Sequence, residues 1–351
     1  MEQWTRGDFL KSSLAIIAGL AAPTWLSEDE NNEMVMTVTG KKPATSLGFT
    51  LTHEHIMVDF IGAKEVTLDR YDKEAVFNTA LPILQRVKKA GCKTFIECTP
   101  AYLGRDVTLF QRLSIASGLN IITNTGYYGA SKEKYFPDHV YTESADQLAA
   151  RWIAEFQHGI DGMDVKPGFI KCGTDKAPLS PAVRKTITAA AITNRSTGLP
   201  IGVHTGDGKA AMEQLDILQK EQVPASAWIW IHAQNEADRS YHFTAARKGG
   251  WVSFDGYHPN ATDAYIQFLH DMKKSHLLNK VLISHDAGWY HVGEPEGGDY
   301  RPYNDIFDHL LPAMKKSGFS ASDIKLLFNT NPAVAFALRS PANAKRIKKI
   351  I

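Results

Sequence analysis

The chain has 351 residues, of which 44% are hydrophobic, with 39 Lys+Arg against 38 Asp+Glu for a formal net charge of +1. A balance this close to zero, with one short basic block at residues 345–349, argues against nucleic acid or an anionic membrane as a partner. The three cysteines, Cys92, Cys98 and Cys172, match no disulfide scaffold, zinc ribbon or dithiol pair and read as small buried hydrophobes.

In chain order, the first feature is Lys11 followed by the apolar residues 12–22, which end in small residues and Pro23. That stretch is too short to span a bilayer as a helix but fits the apolar region of a cleavable signal. Thr5-Arg6-Gly7-Asp8-Phe9-Leu10-Lys11 is similar to a twin-arginine export motif in which Gly7 replaces the second arginine. The expectation is that residues 1–33 are an export signal and leader, and that residues 34–351 form one domain, periplasmic or secreted, with no stable membrane insertion after signal removal. The competing reading of the leader is a disordered apolar tail.

From Val35 onward, short β-branched runs alternate with longer amphipathic segments. Strands are predicted at residues 47–57, 93–99, 120–126, 168–172, 201–204, 228–232, 251–254 and 280–286. Helices are predicted between them, among others at 73–90, 145–158, 181–197, 209–222 and 238–248. Strand followed by helix, eight times over, predicts a parallel sheet closed into a (β/α)8 TIM barrel, which typically takes about 250 residues. A doubly wound sheet is the alternative, but no Gly-rich phosphate loop follows the first strand. Residues 304–316 and 322–338 supply the last helices, with Asn331-Pro332 opening the final one as a cap followed by proline.

The polar residues at the strand ends carry the chemistry. His53 and His55 lie two apart on the first strand and share a face. His204, His232 and Asp286 end the fifth, sixth and eighth strands, on the rim where this fold gathers functional groups. Taken singly, each histidine is better explained as a satisfied core residue. Four at strand ends, joined by an aspartate, point instead to a divalent metal. Lys171 follows Gly168-Phe169-Ile170, where an unpaired ammonium is costly. A salt bridge to a neighbouring carboxylate would explain it; beside histidine ligands, reaction with carbon dioxide would turn it into an anionic carbamate instead.

The ordered set His53-x-His55, Lys171, His204, His232, Asp286 resembles the phosphotriesterase family of the amidohydrolase superfamily, its lactonase-like branch included. The local contexts match as well: Thr52-His53-Glu54-His55, Gly168-Phe169-Ile170-Lys171, Val203-His204-Thr205, Ser284-His285-Asp286 and Thr330-Asn331-Pro332-Ala333. The resemblance covers residues 48–339. It implies a binuclear site, with His53, His55 and Asp286 on the more buried ion and His204 and His232 on the other. Carbamylated Lys171 and a hydroxide would bridge the two, and that hydroxide would attack a lactone or other carboxylic ester, with promiscuous phosphotriesterase activity. Asp286 would shuttle the proton. The ions would be Zn2+, with Mn2+, Co2+ or Fe2+ as options that the ligands also accept.

Around this set, Glu54 points away from its neighbours and reads as structural or as a partner to the ligands, His285 reads as packing, and Asp106 as a helix N-cap. Tyr128 stands where lactonase-like relatives place a tyrosine that polarises the substrate carbonyl; packing on the rim explains it equally well. Tyr257, His258, Trp289, Tyr290 and His291 make the loops after strands seven and eight aromatic and polar, and the first four are the expected substrate-binding residues together with Tyr128. Residues 294–299 are a lid or an ordinary surface loop. Gly256, where lactonase-like relatives often have an arginine, and His232-Ala233-Gln234 depart from the lactonase pattern. The alternatives are a true organophosphate triesterase or an amide hydrolase using the same metals, and, from another class, a non-catalytic barrel that binds a small molecule. The oligomeric state, a homodimer included, is left open.

Overall fold

The computed structural model describes residues 33–339; the expected signal, the arginine motif and the basic block lie outside the described residues. A hairpin of β1 (Met34–Thr37) and β2 (Gly40–Pro43), antiparallel, precedes the barrel. The pattern of alternation does not predict it, because strands of four residues are too short to show a period.

The barrel strands then pair in parallel and in chain order. β3 (Thr50–Val58) pairs with β4 (Thr94–Glu97), and β4 with β5 (Asn120–Ile122). The ladder breaks at Thr123 and resumes as β6 (Asn124–Thr125), which pairs with β7 (Phe169–Thr174). β8 (Ile201–Thr205), β9 (Trp228–Ile231), β10 (Trp251–Phe254) and β11 (Val281–Ile283) follow in turn. Closure onto β3 comes from Asp286 N donating to His53 O at 3.0 Å, His55 N donating to Ala287 O at 2.9 Å, and the pairing of β12 (Gly288–His291) with β3. The result is the (β/α)8 barrel that the alternating pattern predicts.

Helices wrap it where the sequence places them. α1 (Lys73–Ala90) starts on Asp72, whose side chain accepts from Glu74 N, and stops at Gly91 in the left-handed region (φ 118°). α2 (Val107–Ser117) starts on Asp106, which accepts from Leu109 N at 3.1 Å. Between β6 and β7 come α3 (His139–Thr142) and α4 (Ala145–His158), the latter opened by a Ser144–Gln147 capping box. α5 (Pro181–Thr197) has Ser180 as cap and proline in its first turn. α6 (Gly208–Lys220), α7 (Arg239–Arg247) and α8 (Thr262–Lys274) complete the layer up to β11. One apolar core lies between strands and helices. A second fills the barrel interior, with Ile96, Ile122, Phe169, Ile229, Trp251 and Leu282 packed against Val35 of the hairpin. The metal-ligand candidates sit above it, on the carboxyl side.

Two local expectations are corrected. The eighth strand ends at Ile283 and not at Asp286, because the backbone from His285 turns away to serve a buried carboxylate described below. Asn331 does not cap the last helix: it is already helical (φ −58°, ψ −48°) behind a wide turn over Leu326–Thr330. Its buried side chain donates instead to Leu278 O at 2.9 Å and Val281 O at 2.7 Å, tying the helix to the foot of β11. Asn331→Ala leaves two buried carbonyls without that donor, so urea denaturation is expected to show a loss of about 1–3 kcal/mol.

Candidate metal centre

The barrel ladder delivers the side chains. His53 and His55 both rise from β3, with their Nε2 atoms 3.2 Å apart. Asp286 places Oδ1 3.1 Å from His55 Nε2 and 3.5 Å from His53 Nε2. Lys171, third residue of β7 and 2% exposed, brings Nζ to 3.3 Å from His53 Nε2. No carboxylate pairs with it among the described residues, so the salt-bridge explanation fails here. His232 follows β9 directly, with Nε2 3.9 Å from Asp286 Oδ2. His204, on β8, meets the His232 ring edge-on at 4.4 Å between centroids. Five of the six residues are thus linked by nitrogen and oxygen contacts, and His204 by ring packing.

The donor set fits a divalent cation. His53, His55 and Asp286 form one group whose ligand atoms lie within 4.8 Å of one another. Asp286 Oδ1 is buried with no hydrogen-bond partner, although two imidazole nitrogens face it. A desolvated carboxylate oxygen left so is costly unless something positive is shared there. Burial lowers the His55 pKa to about 4, lowers His53 with help from the Lys171 charge, and takes His204 well below its usual value. These rings are therefore neutral at pH 7 and have a lone pair to offer.

A second cluster, His53, His232 and Asp255, has a different role. Asp255 is fully buried and accepts from His232 N at 3.0 Å and from His232 Nδ1 at 2.7 Å. Its other oxygen lies 3.1 Å from His53 Nδ1, a close polar contact without the alignment of a hydrogen bond. With its oxygens committed to the backs of two rings, Asp255 aims their Nε2 atoms at the cluster. Burial works against ionising this ensemble, but the Asp255 charge outweighs it and raises the His232 pKa. The imidazoles likewise outweigh burial at Asp255 and at Asp286, both held below the usual carboxylate range.

Backbone strain collects at the same place. His232 (φ 65°), Asp286 (φ 53°) and Trp289 (φ 79°) are all left-handed without being glycine. Asp255 holds the first. Glu54 holds the second: it accepts from Ser284 Oγ at 2.7 Å, His285 N at 3.0 Å, His285 Nδ1 at 2.6 Å and Ala287 N at 2.9 Å. His285 is therefore more than packing, since its Nε2 also accepts from Ile306 N at 2.9 Å.

Two cavities adjoin the cluster. Tyr128, Trp289, Phe60, Leu103 and Tyr135 wall the first. The Tyr128 ring stands edge-on to His204 at 5.1 Å, and Trp289 stacks on His55 at 4.0 Å. His258, Gln234 and Asn235 line the second, with His204 and His232 between the two. Tyr257 and Tyr290 are not brought to either cavity: Tyr257 is buried against Thr262, 2.8 Å from its hydroxyl, and the Tyr290 ring packs under Gly297. That contact anchors residues 294–299 to β12.

The profile described as "Phosphotriesterase family" matches residues 33–336. The chain belongs to the phosphotriesterase family. It is 30% identical to the phosphotriesterase homology protein of Escherichia coli, over 82% of this chain and 98% of that one. It is 28% identical to an aryldialkylphosphatase of Saccharolobus solfataricus, over 87% of this chain and 100% of that one. A solved mutant of a phosphotriesterase-like lactonase from Deinococcus radiodurans superposes with a TM-score of 0.78 at 27% identity, covering 86% of this chain and 99% of that chain. Members of the family are hydrolases, and the His/Asp groups here could hold the metals that such hydrolysis uses.

Asp255, Glu97 and Thr99 escaped the sequence reading. Asp255 follows Phe254 at a strand end, so the rule that selected Asp286 would have found it. Phe60 and Tyr135 carry no such signal, being ordinary loop aromatics until the fold gathers them.

Asp255→Asn keeps the volume but removes the charge behind two rings; a chelator competition assay is expected to show zinc bound about 10–100-fold more weakly. The depressed histidines also set a pH dependence. As pH falls from 6.5 toward 4, the unfolded chain takes up a proton at His55 that the metal-free folded chain refuses. Stability should therefore fall over that window, by up to about 1.4 kcal/mol per pH unit for each such group. Urea denaturation at a series of pH values measures it.

Proposed function

We propose that this chain is a binuclear metal-dependent hydrolase of lactones or other carboxylic esters, with phosphotriester cleavage as a side activity. The observation that carries the reading is the buried convergence of His53, His55, Asp286 and Lys171, which has no carboxylate partner among the described residues, beneath a cavity that Tyr128 overlooks. His53, His55 and Asp286 would hold one ion, His204 and His232 the other, and Lys171, carboxylated by carbon dioxide, would supply an anionic ligand to the pair. Two such ions activate water as a nucleophile at neutral pH and polarise the bond it attacks.

The chain's own groups do the rest. Asp286 Oδ2 faces His232 across 3.9 Å and is placed to accept a proton and pass it outward. Burial keeps the Tyr128 hydroxyl protonated, so it serves as a hydrogen-bond donor to an oxygen that gains charge in the transition state. Phe60, Leu103, Tyr135 and Trp289 exclude water and hold the apolar part of the substrate. On the other side, His258, Gln234 and Asn235 offer polar contacts.

Tyr128 favours carbonyl substrates over phosphotriesters, whereas the aryldialkylphosphatase relative keeps the organophosphate reading alive as the alternative. A panel of lactones, aryl esters, phosphotriesters and amides, run on protein reloaded with zinc or manganese, tests the choice. Lactone or ester hydrolysis that chelation abolishes and metal restores is expected; two bound metals with no ester or lactone cleaved would refute the substrate class, and no metal bound would leave a small-molecule-binding barrel. Lys171→Ala is expected to lose metal and most activity, both partly regained with a short carboxylic acid. An intact mass without added carbon dioxide on fully metallated protein would overturn the carbamate.

A further inference from the structure

Behind His55, on the side away from Asp286, lies a buried polar chain that the proposed chemistry does not use. His55 Nδ1 is 2.8 Å from Thr99 Oγ1. That hydroxyl is in turn 2.6 Å from Glu97 Oε1 and 2.9 Å from Met57 O. Glu97 also accepts from Ile56 N at 3.2 Å through Oε1 and from Thr99 N at 3.1 Å through Oε2. His55, Glu97 and Thr99 are all buried, so the protons must be shared among these groups.

A threonine hydroxyl has one proton to give and two lone pairs to receive with. If Glu97 is ionised, the Thr99 proton goes to it, and Thr99 Oγ1 can then only accept from His55. If Glu97 is neutral, its proton goes to Thr99 and the Thr99 proton to Met57 O, and His55 must again donate. In that arrangement all three contacts of the hydroxyl are hydrogen bonds, and burial pushes the Glu97 carboxyl toward it, up to about 8. The opposite tautomer fails on both sides. With a bare Nδ1, either Glu97 or Met57 O would face the threonine oxygen with no proton between them. Its Nε2 proton would find Asp286 Oδ1 out of hydrogen-bond alignment and would have to share His53 Nε2, 3.2 Å away, with Lys171 Nζ at 3.3 Å.

We infer that Glu97 and Thr99 are positioning residues that hold His55 as its Nδ1–H tautomer, so that the Nε2 lone pair faces His53 and Asp286 before any ion arrives. The inference rests on the metal-site reading above. It assigns to the second strand, which contributes none of the six ligand candidates, the task of preparing one of them. A site whose ring is already in the ligating form binds without first moving a proton within the ring.

Nitrogen-15 NMR of the full, metal-free chain, with the His55 signals assigned by their loss in His55→Asn, reads the tautomer directly. A protonated Nδ1 is expected, and an Nε2–H ring in the wild-type protein overturns the inference without recourse to any other variant. Thr99→Val, which keeps the shape and removes the hydroxyl, should shift His55 toward the Nε2–H form and weaken zinc binding about 10–100-fold in chelator competition. Thr99→Ser should restore both. Zinc bound by Thr99→Val as tightly as by wild type would also overturn it. Absence of zinc binding by the wild type would sink the metal reading instead, while the tautomer measurement still decides this one.

Discussion

Glu54 is a carboxylate with no solvent exposure, and four donors from the chain after β11 converge on its two oxygens. Leaving any of those groups unpaired in the interior would cost on the order of 1–3 kcal/mol. The chain after Ser284 therefore leaves the β10 side and turns to meet the carboxylate. That single turn does two jobs. It brings Asp286 N and Ala287 O onto His53 O and His55 N, which closes the barrel, and it holds Asp286 left-handed with its side chain over the β3 imidazoles. Fold and site are thus coupled through one side chain that itself touches no candidate ligand ring.

The same device recurs around the cluster. Asp255 stands behind His53 and His232, and Glu97, through Thr99, stands behind His55. A neutral imidazole ligates through one nitrogen only when the other is a donor with somewhere to donate. For His232 that partner is Asp255 and for His55 it is Thr99, each just past the neighbouring strand. Among the described residues no carboxylate stands beside Lys171 in this way, and its Nζ faces His53 Nε2 at 3.3 Å instead.

The helix layer was legible in the sequence to the residue in several places. Lys73–Ala90, Ala145–His158 and Pro181–Thr197 begin on side-chain caps and end on glycine or at a polar boundary, and such signals are local. The six ligand candidates were legible for a related reason: strand-end position in a parallel barrel translates directly into a shared rim. Strand boundaries were less so, since a ladder ends where a competing acceptor wins, and for β11 that competitor, Glu54, lies about 230 residues earlier. Asn331 is similar: its sequence context signals a cap, but its backbone is already helical and its Nδ2 is tied to the carbonyls of Leu278 and Val281, some 50 residues earlier.

Periodicity, caps and the order of polar residues at strand ends by themselves determined the barrel, its helices and the identity of the residues that meet on its rim. These are properties of short segments or of simple succession. Only the tertiary structure decided which loop aromatics face the cluster, with Trp289 and Phe60 brought in and Tyr257 and Tyr290 turned into the core. It also decided which buried carboxylates orient the rings. Both depend on the direction of a side chain at a point where the backbone leaves regular geometry, and that direction is set by hydrogen-bond partners far away in sequence.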